Sequence, residues 1–193
     1  MPFEPIVWGI ALAAAAGLRL FMPFLLVGSM ARFANMPTPD MLEWTATDGG
    51  LLLLLVATLL EILGDKIPVV DHALDTVATF LKPAAGLILP AALLYDFSPM
   101  GAWTLGIVAG APLALGVHAT KAGTRALSSG TTAGLGNPVL SVLEDALAVV
   151  ILLFTVLAPV IAALLVVMLA VAVVSAWRVM RRRLSAGEPA RLV

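Results

Sequence analysis

The chain has 193 residues, 61% of them hydrophobic and 12% charged, with a net charge of -1 and a mean hydropathy of +1.07. These values exclude an ordinary soluble domain and make the lipid bilayer, not a nucleic acid, the expected partner. The absence of cysteine excludes disulfides and cysteine-ligated metal.

The N-terminus, "MPFEPIVWG", has no basic residues ahead of its apolar stretch and carries Glu4, unlike a cleavable signal peptide. It is read as the start of a first span over 6–32. The Pro, Asp, Thr and Gly of "NMPTPDMLEWTATDGG" supply a loop and a helix start before a short second span over 49–64. Pro68 ends that span. Residues 69–82 then place Asp71, His72, Asp75, Thr76, Thr79 and Lys82 on one arc of a helical wheel, with Val70, Leu74, Val77, Phe80 and Leu81 opposite. This is the pattern of an amphipathic helix along the cytoplasmic interface or around a wet cavity, ending where Pro83 opens a third span over 83–98. A fourth span occupies 101–126. After "SSGTTAGLGNP", Asn137 caps and Pro138 opens a fifth. Residues 146–177 lack Asp, Glu, Lys and Arg; one straight helix of that length would extend about 48 Å, more than a bilayer needs. A tight hairpin with Pro159 opening span six fits better than one long kinked helix.

The expected fold is therefore all-α: a polytopic transmembrane bundle of six spans in one domain, 1–184, with a short tail, 185–193. Arg178, Arg181, Arg182 and Arg183 after span six place the C-terminus in the cytoplasm, and an even number of spans places the N-terminus there too. The basic tail is suited to anionic lipid.

Ionisable residues inside spans mark candidate functional sites. Arg19 and Glu61 fall deep in spans one and two at similar depth, which suggests that they neutralise each other. His118, Lys121 and Arg125 form a basic stripe on span four, facing Glu144 and Asp145 at the start of span five, where His118 and Glu144 are close enough in depth to meet. With Asp65, Lys66, Asp71, His72 and Asp75, these residues make up the expected substrate or ion pathway. Asp71, His72 and Asp75 also offer nitrogen and oxygen to a metal or proton relay, although closed-site spacings are absent and a solvated connector accounts for the same pattern. No organic cofactor is implied.

A repeat sets Gly17-Leu-Arg19 against Gly116-Val-His118, and "VATLLE" at 56–61 against "VLSVLE" at 139–144. If each half, 1–98 and 99–180, has three spans, the halves form an inverted repeat of the kind found in secondary transporters. Gly9, Ala13 and Gly17 at four-residue spacing permit close helix contacts, including those of a homo-oligomer.

The stretches "GLRLFMPFLLVG", "DKIPVVDH", "GVHATKAGTRA" and "NPVLSVLEDALA" resemble those of the bacterial integral membrane proteins catalogued as domain of unknown function 4126. Arg19, Asp65, Lys66, Pro68, Asp71, His72, His118, Lys121, Gly123, Arg125, Glu144 and Asp145 match that family's pattern. The resemblance implies an inner-membrane location and brings no substrate or activity. The leading expectation is a small transporter or ion-conducting protein for a cation or proton-coupled solute. A noncatalytic scaffold or lipid-binding protein with structural charge pairs is the alternative. An enzyme is not expected, since no nucleophile elbow, P-loop or HExxH site occurs.

Overall fold

The computed structural model describes the backbone of residues 3–186, and the side chains of those residues except 68–75, 180 and 183–186. Beyond Glu4 in its first turn, helix α1 (Phe3–Leu18) is apolar around its whole circumference, and Ala11 through Ala16 have no solvent exposure at all. In lipid, helices associate through close packing more than through water exclusion, and the small residues of α1 make it possible. A methyl group added at Gly9 would stand 2.8 Å from Pro90 Cα, and one added at Gly17 would stand 2.7 Å from the Ala114 carbonyl oxygen. Gly9, Ala13 and Gly17 are thus consumed inside the bundle, at its centre, and are not a face for a second copy.

The chain turns at Arg19, Leu20 and Phe21, and α2 (Met22–Ala34) runs back along α1, with Pro23 in its first turn. Glu4 and Trp8 of α1 line one cavity together with Val27, Met30 and Ala31 of α2, whereas a straight continuation would separate residues 4 and 30 by about 39 Å. The stretch 6–32 is therefore a helical hairpin, not the single span expected. α2 ends on Asn35 in the left-handed conformation (φ 51°), which asparagine tolerates better than most residues.

A 3₁₀ segment, Asp40–Ala46, packs on α2 and meets α3 (Asp48–Gly64) at 78°. Thr47 caps α3 by accepting the Gly50 N–H at 3.0 Å. One stripe of α3 is buried, through Leu54, Thr58 and Glu61, while Leu52, Leu53, Leu59, Leu60 and Leu63 face outward, as suits a helix with lipid on one side. Pro68 forces Ile67 into an extended conformation (φ -112°, ψ 109°) and starts the next helix.

That helix, α4, runs unbroken from Pro68 to Leu94 with Pro83 and Pro90 in its interior. The expected amphipathic helix over 69–82 and third span over 83–98 are one element, because neighbouring helices accommodate the proline breaks in a membrane helix. α5 (Pro99–Leu105) passes through a π turn at Gly106–Gly110 into α6 (Ala111–Thr132). Two glycines let the π turn press on α4: a methyl at Gly86 would stand 2.6 Å from the Gly110 oxygen. α7 (Asn137–Leu157) and α8 (Pro159–Ala186) form the hairpin expected at Pro159, broken at Ala158 (φ -155°, ψ 77°). Gly136, not Asn137, holds the cap position of α7.

Among the described residues, four stretches are long and apolar enough to cross a membrane, Thr76–Leu94, Pro99–Thr132, Asn137–Leu157 and Pro159–Val179, and the bent pair ending in α3 supplies up to one more. α4 is antiparallel to α1, since Gly9 meets Pro90 while Leu18 meets Lys82. α6 is antiparallel to α4, since Gly86 meets Gly110 while Thr79 meets His118. α1 and α6 consequently run in the same sense, so the Gly17-Arg19 and Gly116-His118 segments are not inverted copies. With the bent pair counted as one crossing, an α1–α2 hairpin followed by five crossings leaves residues 3 and 186 at opposite ends of the bundle, where an even number of spans required the same end.

Gly17→Ala and Gly86→Ala should each lower stability by about 1 to 3 kcal/mol, because the added carbon meets backbone that cannot rotate away. Gly123, with nothing within 4 Å of its Cβ position, should tolerate alanine with no loss. Thermal unfolding in detergent measures all three.

Candidate functional site

An α-helix that begins inside a protein leaves its first N–H groups without partners. At the tip of the α1–α2 hairpin the N–H groups of Leu20 and Phe21, in the turn just ahead of α2, are likewise outside both helices, and the carboxylate of Glu61 accepts both, at 2.9 and 3.3 Å. Glu61 can do so because α3 descends beside the hairpin and presents its buried stripe at that level. On the other side of the tip, the free carbonyl of Leu18 accepts from Lys82 Nζ at 3.1 Å, and Lys82 lies 3.8 Å from Glu61. Lys82 is 1% exposed, far from the interfacial position that an amphipathic helix would give it.

Arg19, the residue at the turn, is 0% exposed and reaches three residues on two elements. Its guanidinium pairs with Asp65, which follows α3, and its Nε lies 2.6 Å from Asp145 Oδ1 on α7. Nη2 donates to Ser141 Oγ at 3.1 Å. Asp65 Oδ2 is shared further by Lys121 Nζ at 2.8 Å and Arg125 Nη2 at 2.9 Å, both from α6. Arg125 also donates to Glu144 Oε2 at 2.7 Å, with Lys121 3.5 Å from the same oxygen. Lys66 closes the chain at 3.4 Å from Asp145. Four parts of the bundle, the hairpin tip, the end of α3, α6 and the start of α7, are thus tied by one cluster of alternating charge. Burying ions is tolerated where each is paired and hydrogen-bonded; every member of this cluster has an opposite charge within 4 Å, while Arg19 Nε and Asp145 Oδ1 pair by charge without a hydrogen bond.

Of the expected site residues, Arg19, Asp65, Lys66, Lys121, Arg125, Glu144 and Asp145 come together here. Two expected pairs do not form. Arg19 binds Asp65 and Asp145 instead of Glu61, because the hairpin turn points it toward the end of α3 and the start of α7 while Glu61 is engaged by the backbone. His118 does not meet Glu144; its Nε2 lies 3.2 Å from Thr79 Oγ1 on α4, since α4 covers that face of α6. The side chains of Asp71, His72 and Asp75 lie outside the described residues, and among the described residues no group of three metal-ligating side chains occurs. Sequence reasoning missed Lys82 as part of the site. The signal available was a lysine adjoining an apolar run, and Pro83 disguised it by suggesting a helix boundary.

Beside the cluster, between α3 and α4, lies a cavity of about 230 Å³. Its walls include Ala57, Leu60, Val77, Ala78 and Leu81, and Glu61, Asp65, Lys82 and Lys121 also line it. Leu60 and Val77 are exposed on the outer surface of the bundle, so the cavity connects the ion cluster with the exterior flank.

The family model for the domain of unknown function DUF4126 matches residues 6–179. The chain belongs to the DUF4126 family. No curated protein and no solved structure matches it. The DUF4126 match covers the hairpin, all the traverses and every residue of the ion cluster, and it confirms the resemblance carried by the four quoted stretches.

Asp65→Asn should lower stability by about 3 to 5 kcal/mol, since it leaves Arg19, Lys121 and Arg125 facing a neutral oxygen in a buried setting. Arg32→Ala should have an effect near zero, because its 3.5 Å contact with Asp48 is exposed. Unfolding temperatures of the two purified variants in one detergent test the contrast.

Proposed function

We propose that the protein is a small multi-pass membrane transporter or ion conductor in which the ion cluster at the hairpin tip is the gate for a cation or proton-coupled solute. The observation that carries this reading is the juxtaposition of a helix break, held by Glu61, with a cavity that reaches Glu61, Asp65, Lys82 and Lys121. Helices interrupted inside a bundle are tolerated where the broken backbone is buried in protein or lines a cavity, and transporters place their sites at such breaks. In the mechanism, a proton or cation arriving through the cavity neutralises Glu61. The Leu20 and Phe21 N–H groups lose their charged acceptor, the Lys82–Glu61 ion pair is lost, and the tip is free to shift against α3 and α4. Asp65 and Glu144 exchange partners among Lys121, Arg125 and Arg19 as it moves, so the cluster stays paired in both positions. No step makes or breaks a covalent bond other than to a proton, and the protein is not an enzyme in this reading.

The cluster end of the bundle carries Lys66, Lys121 and Arg125 as well as Arg178, Arg181 and Arg182, which by the positive-inside rule is the cytoplasmic end of an inner-membrane protein. The N-terminus then lies on the outer side. Arg181, stacked 5.5 Å from the Trp177 ring centre, and its neighbours suit an anionic lipid surface.

A second reading has one observation in its favour: three cations converge on Asp65, an arrangement that also suits a purely structural clamp in a noncatalytic scaffold. Flux and stability separate the two. In proteoliposomes under an imposed pH gradient, the native protein should dissipate the gradient faster than empty vesicles. Glu144→Gln, and Ala78→Trp, which fills the cavity without altering an ion, should each reduce the rate per folded molecule about tenfold or more. A native protein with no flux above empty vesicles, whose variants differ only in thermal stability, would establish the scaffold.

A further inference from the structure

At the opposite end of the bundle from the ion cluster, the open end of the α1–α2 hairpin and the end of α4 line an open cavity of about 430 Å³. Two carboxylates line it, Glu4 from α1 and Asp96 after α4, with the aromatic rings of Trp8 and Phe97 and the thioethers of Met30 and Met36. No lysine or arginine lines it. Among the described residues, neither Glu4 nor Asp96 forms an ion pair or a side-chain hydrogen bond, unlike the carboxylates of the ion cluster.

We propose that this cavity is a binding site for an organic cation, a quaternary or protonated ammonium compound. Its size lies within the range of small-molecule sites and far exceeds a bare metal ion. Charge selects the sign. Besides the two lining carboxylates, Asp40, Glu43 and Asp48 follow α2 on the same end, where Arg32 is the single basic residue among those described and sits 3.5 Å from Asp48. The last turns of α2 and α4, which supply Met30, Ala31 and Leu93, bring the negative ends of two helix dipoles to the cavity, against one positive end from the start of α1, where Glu4 offsets it. Chemistry selects the kind of cation. A hydrated metal ion prefers a shell of oxygen donors, whereas an alkylammonium group is favoured by aromatic faces and polarisable sulfur beside a carboxylate. The mostly apolar wall, which includes Pro5, Val27 and Leu93, matches the alkyl part of such a compound.

Isothermal titration of the purified full chain in detergent tests the site without any measurement of flux, so it stands or falls apart from the transport reading. Choline and benzyltrimethylammonium are the probes, and 3,3-dimethylbutan-1-ol, the uncharged isostere of choline, is the control. At least one of the two cations should bind saturably, with the isostere at least about tenfold weaker. Glu4→Gln and Asp96→Asn should each weaken the cation about tenfold. Both residues are exposed, so the variants should keep the native unfolding temperature. Equal binding of choline and its isostere, native affinity in the double variant, or no saturable heat from either cation at about 10 mM with folded protein would overturn the proposal.

Discussion

A backbone N–H with no acceptor inside a membrane protein costs several kcal/mol, and the whole arrangement around the α1–α2 hairpin follows from how two such groups are met. The chain breaks helix at Arg19, in the interior of the bundle, and the freed groups of Leu20 and Phe21 require an acceptor that water cannot supply. Glu61 provides it, which fixes the level and rotation of α3. Placing a carboxylate there demands a counter-charge, and Lys82 on α4 stands 3.8 Å away while it also takes the Leu18 carbonyl. One helix break thereby determines the mutual registry of three helices.

The second set of ions is connected to the first through Arg19. Its burial is tolerable because Asp65 and Asp145 flank it, and Asp65 in turn is tolerable because Lys121 and Arg125 share its charge. Such a cluster is stiff as long as every member keeps its charge, and it loosens wherever a proton or an ion neutralises one. This is why the same geometry serves either a clamp or a gate, and why the neighbouring cavity matters for choosing between them. That cavity, of about 230 Å³, reaches from the flank of the bundle to Glu61 and Lys121.

Charge is distributed along the bundle with a clear polarity. Basic residues gather at the end where α3, α6 and α8 finish, while Glu4, Asp40, Glu43, Asp48 and Asp96 gather at the other, around the open mouth of the hairpin. The two cavities sit at these two ends of the same hairpin, one beside its tip and one between its legs. The hairpin is the element that both cavities share.

The amino-acid sequence by itself determined that the chain is helical and membrane-embedded, since hydropathy is local, and it determined most helix ends. Pro68, Pro159 and the glycine-rich turn before Asn137 act on their immediate neighbours and were legible. It also identified most of the ions that converge, because a charge in an apolar run must find a partner wherever that partner lies. Tertiary structure alone decided which partner. Arg19 had Glu61 at the right depth, yet rotation of the hairpin gave it Asp65 and Asp145, and α4 took His118 away from Glu144. It also decided that 6–32 folds back on itself and that 68–94 runs through two prolines. Both depend on whether distant side chains and close-packed neighbours satisfy a broken backbone, and no local pattern of residues contains that information.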